Sequence, residues 1–272
     1  DAVPAPLPDL RTALGAAPLV RDVVRVTGPE ALPFLQGQLS QDLSDMTVGE
    51  SRPSWLLQPA GKVDAWLRVT LLAEDDLLLD VDRGHGEAVL ARLSRFKLRT
   101  KADLALSTWS GFALRGPGAR EVEPPADALA LDAAWPGVPA VDLLAEDEVA
   151  LAGVPLAPAE SLEALRIECG VPAMGAELTA DTIPAEAGQW VIGASVSFTK
   201  GCYTGQELVA RIDSRGGNVP RPVRGLQLAP EGDVVPAGAT VHRDADEVGR
   251  VTSVASSPAL GPVALAVVSR TV

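Results

Sequence analysis

Residues 194–213 read ASVSFTKGCYTGQELVARID. Small polar and apolar side chains alternate over 194–198, which predicts a strand. Gly201 and Gly205 predict a turn, and the run from Gln206 predicts a helix. Thr204 and Glu207 stand at the spacing of a capping box, with threonine as N-cap and glutamate as the third helical residue. The chain concentrates rare residues here: its single tyrosine, one of its two cysteines and one of its four lysines lie within Lys200–Tyr203. Cys202 precedes a helix start and is two residues from Lys200, so a helix dipole and an ammonium would both favour its thiolate. The same position also suits a small thiol buried under a tight turn. Lys200 reads as a surface lysine or as a partner of the sulfur.

Upstream lies GVPAMGAELTADTIPAEAGQW, residues 170–190. Glu186 falls between Pro184 and Gly188, where neither regular helix nor strand is favoured. A carboxylate on such a loop can accept two parallel N–H bonds from a flat heterocycle such as a pterin. Trp190 and Phe198 would supply apolar walls, and Arg211 and Arg215 would hold a substrate carboxylate. Each also has a plainer reading: Glu186 as a surface acid, Trp190 as core, and the two arginines as a solvated helix face.

Toward the N-terminus, LVRDVVRVTGPEALPFLQGQLSQDL (residues 19–43) reads as strand, turn and helix. Val23, Val24 and Val26 are β-branched, Gly28 breaks the strand, and Leu32, Leu35 and Leu39 recur at helical spacing. A similar device returns at FALRGPGAREV, residues 112–122, and VTGPEA and LRGPGA lie 88 residues apart. Between them GKVDAWLRVTLL and DLLLDV predict strands around an acidic turn. GEAVLARLSRF predicts a helix buried through Val89, Leu90, Leu93 and Phe96. Arg92, Arg95, Lys97, Arg99 and Lys101 read as a solvated edge. SLEALRIECG predicts a further helix, with Gly170 at its C-terminal cap and Pro172 beyond it. After Pro220, short strands separated by Gly, Pro and Asp predict a small all-β domain, barrel-like in form. The first eighteen residues read as a loose arm.

Composition narrows the function classes. Among 272 residues, 47% are apolar and 22% charged, as in a globular protein with a core of its own. The net charge of −13 argues against a nucleic-acid ligand, which would want a basic patch. Apolar runs such as Ala264–Val268 are too short to cross a bilayer, and the acidic, proline-rich start does not read as a signal peptide. A cytoplasmic protein is therefore expected, although the sequence does not begin with Met. Cys169 and Cys202 form no CxxC, and His85 and His242 are remote from both, so no zinc site is expected. Two free thiols are the plainer reading beside a single disulfide.

The string KGCYTGQE, residues 200–207, closely resembles the signature of the YgfZ family of folate-binding proteins, relatives of the glycine-cleavage aminomethyltransferase. The segments FLQGQLSQDL, LRIECGVPAMGAEL, IPAEAG, GQELVARIDSRG and VGRVTSVASSPALGPVALAVV follow in the family's order. The resemblance implies an α+β, three-part aminomethyltransferase-like fold with a ferredoxin-like insertion and a C-terminal β-barrel. Its parts would be residues 1–50 and 106–220 for the folate-binding domain, 51–105 for the insertion and 221–272 for the barrel. It implies tetrahydrofolate, or a one-carbon derivative, as cofactor. Glu186 would grip the pterin, with a further contact near Met174. It also implies iron–sulfur proteins as clients, including enzymes of tRNA modification, with Cys202 as the residue implicated in that role. The aminomethyltransferases place an acid near the folate's reactive nitrogens; here Asp82 or Glu87 occupies that region, without the Asn residues that accompany it. The alternative activity is that of a folate-dependent aminomethyl or one-carbon transferase or demethylase.

Overall fold

The computed structural model describes residues 6–230, 232 and 235–270. The chain divides into two compact units. One comprises Asp1–Leu19, Gly111–Pro172 and Arg221–Val272; the other comprises Val20–Ser110 and Ala173–Pro220. The strands β1 (Gly15–Thr27) and β5 (Asp103–Arg115) each contribute residues to both units.

The unit built on Val20–Ser110 carries the motif. Its sheet runs in the order β2 (Ser51–Leu57), β3 (Val63–Ala73), β4 (Asp76–Asp82), β1, β5. Side chains alternate across a strand, so register assigns each residue to a face. Val24 pairs with Leu79, Val26 with Leu77 and Val69 with Leu79. These residues join one core with Leu35 and Leu39 from helix α1 (Ala31–Gln38) and its end, and with Val89 and Leu93 from α2 (Gly86–Lys97). Each fully buried leucine contributes about 1.5–3 kcal/mol before chain entropy is counted. The opposite face has a different composition. Trp55 pairs with Trp66, Arg68 with Asp80 and Arg21 with Asp82. Arg68 holds the fully buried Asp80 through two bonds of 2.8 and 3.0 Å. Arg21 reaches the same carboxylate at 2.9 Å and also binds Asp82. A buried carboxylate needs such partners to remain in the fold.

In the other unit β7 (Ala140–Ala145) lies between β5 and β6 (Leu129–Asp132). Helix α3 (Ala159–Glu168) packs on the C-terminal sheet, whose order is β8 (Val223–Gln227), β11 (Gly261–Val268), β10 (Asp246–Ser257), β9 (Thr240–Arg243). Ile167 buries against Val263 and Leu265, and Arg166 donates to Ser253 Oγ at 2.7 Å. Gly170 takes φ +64° just past the helix, as its expected cap position requires.

Three expectations change. Residues 15–18 belong to β1 rather than to an arm, and Leu10 is buried; residues 1–5 lie outside the described residues. Residues 194–195 end helix α4 (Gln189–Ser195), where a strand was expected. Val191, Ile192 and Ser195 bury at helical spacing, and that periodicity prevails over the short alternation. Arg92 leaves the solvated edge. It pairs with Asp64 at 3.0 Å, donates to the Leu57 carbonyl at 2.9 Å and lies 3.8 Å over the Phe96 ring.

Candidate functional site

Lys200 follows α4 and reaches back across the unit to the end of α1. Its ammonium donates to the carbonyls of Gln36, Leu39 and Gln41 at 2.8, 2.7 and 2.7 Å. A helix leaves its last carbonyls without internal partners and presents a negative dipole end, so a cation there is favoured twice. Burial pushes the Lys200 pKa down to about 8, against the pull of the Asp42 carboxylate. More bonds tie the same two segments. Thr204 N–H donates to the Gly37 carbonyl at 3.2 Å, Ser197 N–H to Ser40 at 3.0 Å, and Ser40 Oγ to Ser195 at 2.6 Å. The stretches 36–41 and 195–204, distant in sequence, are therefore one structure. The Lys200 ammonium is spent on this clamp.

Gly205 completes the frame. It has φ +82°, and a Cβ there would stand 2.6 Å from the Gln58 carbonyl. Only glycine fits both conditions. Gly201 differs: it is not left-handed, and a Cβ would meet open space. Gly201→Ala is thus expected to lie within about 0.5 kcal/mol of the wild type in chemical denaturation. A larger loss would mean that this backbone needs glycine after all.

The expected capping box does not form. Gly205 is the N-cap of α5 (Gln206–Asp213), with no side-chain cap. Instead the Gln206 side chain accepts the Tyr203 N–H at 3.2 Å. Tyr203 is buried, its hydroxyl pushed up to about 12 by that burial, and its ring lies 5.4 Å from the Lys200 nitrogen. Cys202 alone among the motif's rare residues is exposed, as a free thiol. Of its two readings, the buried thiol under a turn is excluded. Cys169, in the other unit, is also free, and burial pushes its thiol up.

The polar sheet face brings together a second group. Trp66 is half-buried. Its Nε1 donates to Ser195 Oγ at 2.9 Å, and its N–H to Met174 Sδ at 3.3 Å. Trp190 meets the Trp66 ring edge-on at 6.2 Å. Met174 N–H in turn donates to Asp82 Oδ2 at 2.8 Å. Asp82, Met174, Trp66 and Trp190 thus form a continuous wall with a carboxylate at one end. Glu186 sits in a 3-10 turn, Pro184–Ala187, immediately before α4. It is buried, with Oε2 accepting the Ile183 N–H at 3.0 Å, so it is not a surface acid.

The remaining expected site residues lie elsewhere in this unit. Phe198 is half exposed and lines a small apolar pocket with Pro184, Ala185, Ile192, Val209 and Ile212. Cys202 and Lys200 are not among the residues lining that pocket. Arg211 and Arg215 are exposed on α5 and just beyond it. Among the described residues no three His, Cys, Asp or Glu side chains gather as a metal-binding group, and no helix is long and apolar enough to cross a membrane. The sequence reading missed Trp66, Ser195 and the Arg21–Asp80–Arg68 line. Part of the signal was present: Asp80 and Asp82 stand two apart in LLLDVD, and Arg68 in WLRVT and Arg21 in RDVVR each interrupt an apolar strand, marking a polar face.

Residues 21–133 match the GCVT N-terminal domain, and residues 221–272 match the glycine cleavage T-protein C-terminal barrel domain. An uncharacterised protein of Haemophilus influenzae is 28% identical over 197 residues, spanning 72% of this chain and 67% of that protein. The crystal structure of glycine cleavage system aminomethyltransferase T from Bartonella henselae superposes with a TM-score of 0.75 at 21% identity. The match covers 97% of this chain and 80% of that one. The fold is therefore that of the T-protein, with its C-terminal barrel-like sheet.

Proposed function

We propose that this chain, placed in the glycine-cleavage T-protein superfamily by both matched domains, is a tetrahydrofolate-binding protein of the YgfZ type. Its role in this reading is to assist assembly or repair of iron–sulfur enzymes, including those of tRNA modification. The observation that carries the reading is the division of labour within KGCYTGQE. Lys200, Tyr203 and Gly205 are consumed by structure, while the Cys202 sulfur is left exposed. A motif that spends its other rare residues on presenting one thiol is suited to thiol chemistry or transient metal–sulfur contact.

The residues present suit a reduced folate. Glu186 offers a buried carboxylate to a pterin's paired N–H groups. Trp190, Trp66 and Met174 offer an apolar wall for a flat ring. Phe198 extends the apolar surface on the same unit, and Arg211 and Arg215 are free to meet the acidic tail. When bound, tetrahydrofolate supplies one-carbon carrying capacity; these side chains bind and orient it. Lys200 serves here as a holding residue and not as a proton carrier.

One observation favours the second reading, a folate-dependent aminomethyl or one-carbon transferase or demethylase. The Asp82 carboxylate stands at the Met174 end of the wall, one-third exposed, where it can accept a hydrogen bond from a bound ring. Calorimetric titration with tetrahydrofolate tests the shared premise. Cys202→Ser separates the readings: it is expected to leave folate affinity unchanged while lowering iron–sulfur enzyme activity in cells that depend on this chain. Rapid turnover of N-methyl substrates with tetrahydrofolate, unaffected by that substitution, would instead select the transferase.

A further inference from the structure

The Arg83–Gly86 turn is fixed from within by Asp22. That carboxylate accepts Arg83 Nη1 at 2.6 Å, the Gly84 N–H at 2.8 Å and the Gly86 N–H at 3.0 Å. Burial alone would raise its pKa, but the Gly86 N–H, the Arg83 guanidinium and the Gly84 N–H outweigh that and hold it below the usual carboxylate range. A Cβ on Gly86 would come within 2.6 Å of the Asp22 side chain, so the turn closes tightly on the acid. His85 is carried on this rigid turn. Its N–H donates to the Asp82 carbonyl at 3.2 Å. Its ring is half-buried, and among the described residues it makes no side-chain hydrogen bond.

The ring lies beside Gly175. A Cβ built there would stand 3.4 Å from His85 Nε2 and 3.7 Å from Cε1, and Gly175 has φ +84°. The preceding residue is Met174, whose N–H is held by Asp82. The imidazole therefore meets Gly175 and the Asp82 carboxylate meets its neighbour Met174, at the end of the Trp66 wall. An ordered imidazole with unspent ring nitrogens, next to a carboxylate, is a complementary pair for a nitrogen heterocycle: one acceptor, and one group that donates or accepts.

We propose that His85 is a ligand-contacting residue whose ring nitrogen hydrogen-bonds a bound reduced folate between Asp82 and Gly175. The proposal rests on the folate reading and adds to it a residue that neither the motif nor the matched domains assign. The chain has two histidines, which makes the test direct. The full chain, labelled in its histidine rings, is titrated with tetrahydrofolate and followed by NMR, with His85→Gln identifying the resonances. The His85 ring signals are expected to move saturably with the calorimetric Kd, while those of His242 stay fixed. His85→Ala is expected to bind roughly three- to tenfold more weakly, the effect of one lost hydrogen bond. His85→Gln, which keeps a polar group on the same turn, should recover part of that loss. Folate binding with a silent His85 ring and undiminished affinity in His85→Ala would make this histidine a packing residue for Gly175 and overturn the proposal. Absence of binding to the wild type would remove the folate reading and this proposal together.

Discussion

Glu186→Gln is expected to weaken tetrahydrofolate binding by about 1–3 kcal/mol, roughly five- to 150-fold in Kd, while leaving the melting temperature nearly unchanged. The substitution keeps an oxygen for the Ile183 N–H, which Oε2 now accepts at 3.0 Å, so the turn before α4 retains its cap. It removes the charge and turns one acceptor into a donor. Paired N–H groups of a pterin would then face an amide in place of a carboxylate. Glu186→Ala is a poorer probe, because it also strips the cap from a buried turn and confounds affinity with stability. Calorimetry and thermal melts on both variants separate these effects. Equal affinity in Glu186→Gln and wild type would take this acid out of the folate contact and leave it as a capping residue.

Much of the architecture was readable from periodicity. Val23, Val24 and Val26, the Leu77–Leu79 run and the Val89–Leu93 face lie in the strands and helix their spacing implies, because apolar residues at period two or 3.6 have few other ways to leave water. The helical end of α4 was not readable. ASVSF is too short for either period to prevail by itself, and the outcome depends on Val191 and Ile192 upstream. The site was legible in part. Its residue types announced themselves by rarity, but their roles depended on partners distant in sequence. Lys200 looked like the cation for Cys202; its actual partners lie 159 to 164 residues away, at the end of α1. Nothing local encodes such a contact. Gly205 and Gly201 looked equivalent; the left-handed φ of Gly205 and the approach of the Gln58 carbonyl distinguish them.

Lys200→Met is the substitution expected to disturb the protein's own structure most. It preserves the length of the apolar stem but leaves three carbonyls of 36–41 without their shared donor, at a cost of about 2–4 kcal/mol in chemical denaturation. Lys200→Arg should fall between, since a planar guanidinium cannot place three donors on acceptors converging at one nitrogen. The pH dependence carries a sign. In the folded chain this lysine titrates at about 8, against an ordinary 10.5. Between those values the folded chain has lost a proton that the unfolded chain keeps, so unfolding takes one up. The residue's contribution to stability therefore grows as pH rises from about 8 to 10.5, and the gap between wild type and Lys200→Met widens over that window. Burial of the charge costs stability at neutral pH, but orphaned carbonyls cost more, which is why the methionine variant is weaker throughout. Cys202 supplies the second readout. If Lys200 only holds the loop, the exposed thiol in Lys200→Met is alkylated at least as fast as in the wild type, since a loosened loop leaves it open. If the ammonium instead activates the sulfur, alkylation slows while stability stays put. Slower alkylation with unchanged stability would restore Lys200 as the partner of the sulfur and dismiss the clamp.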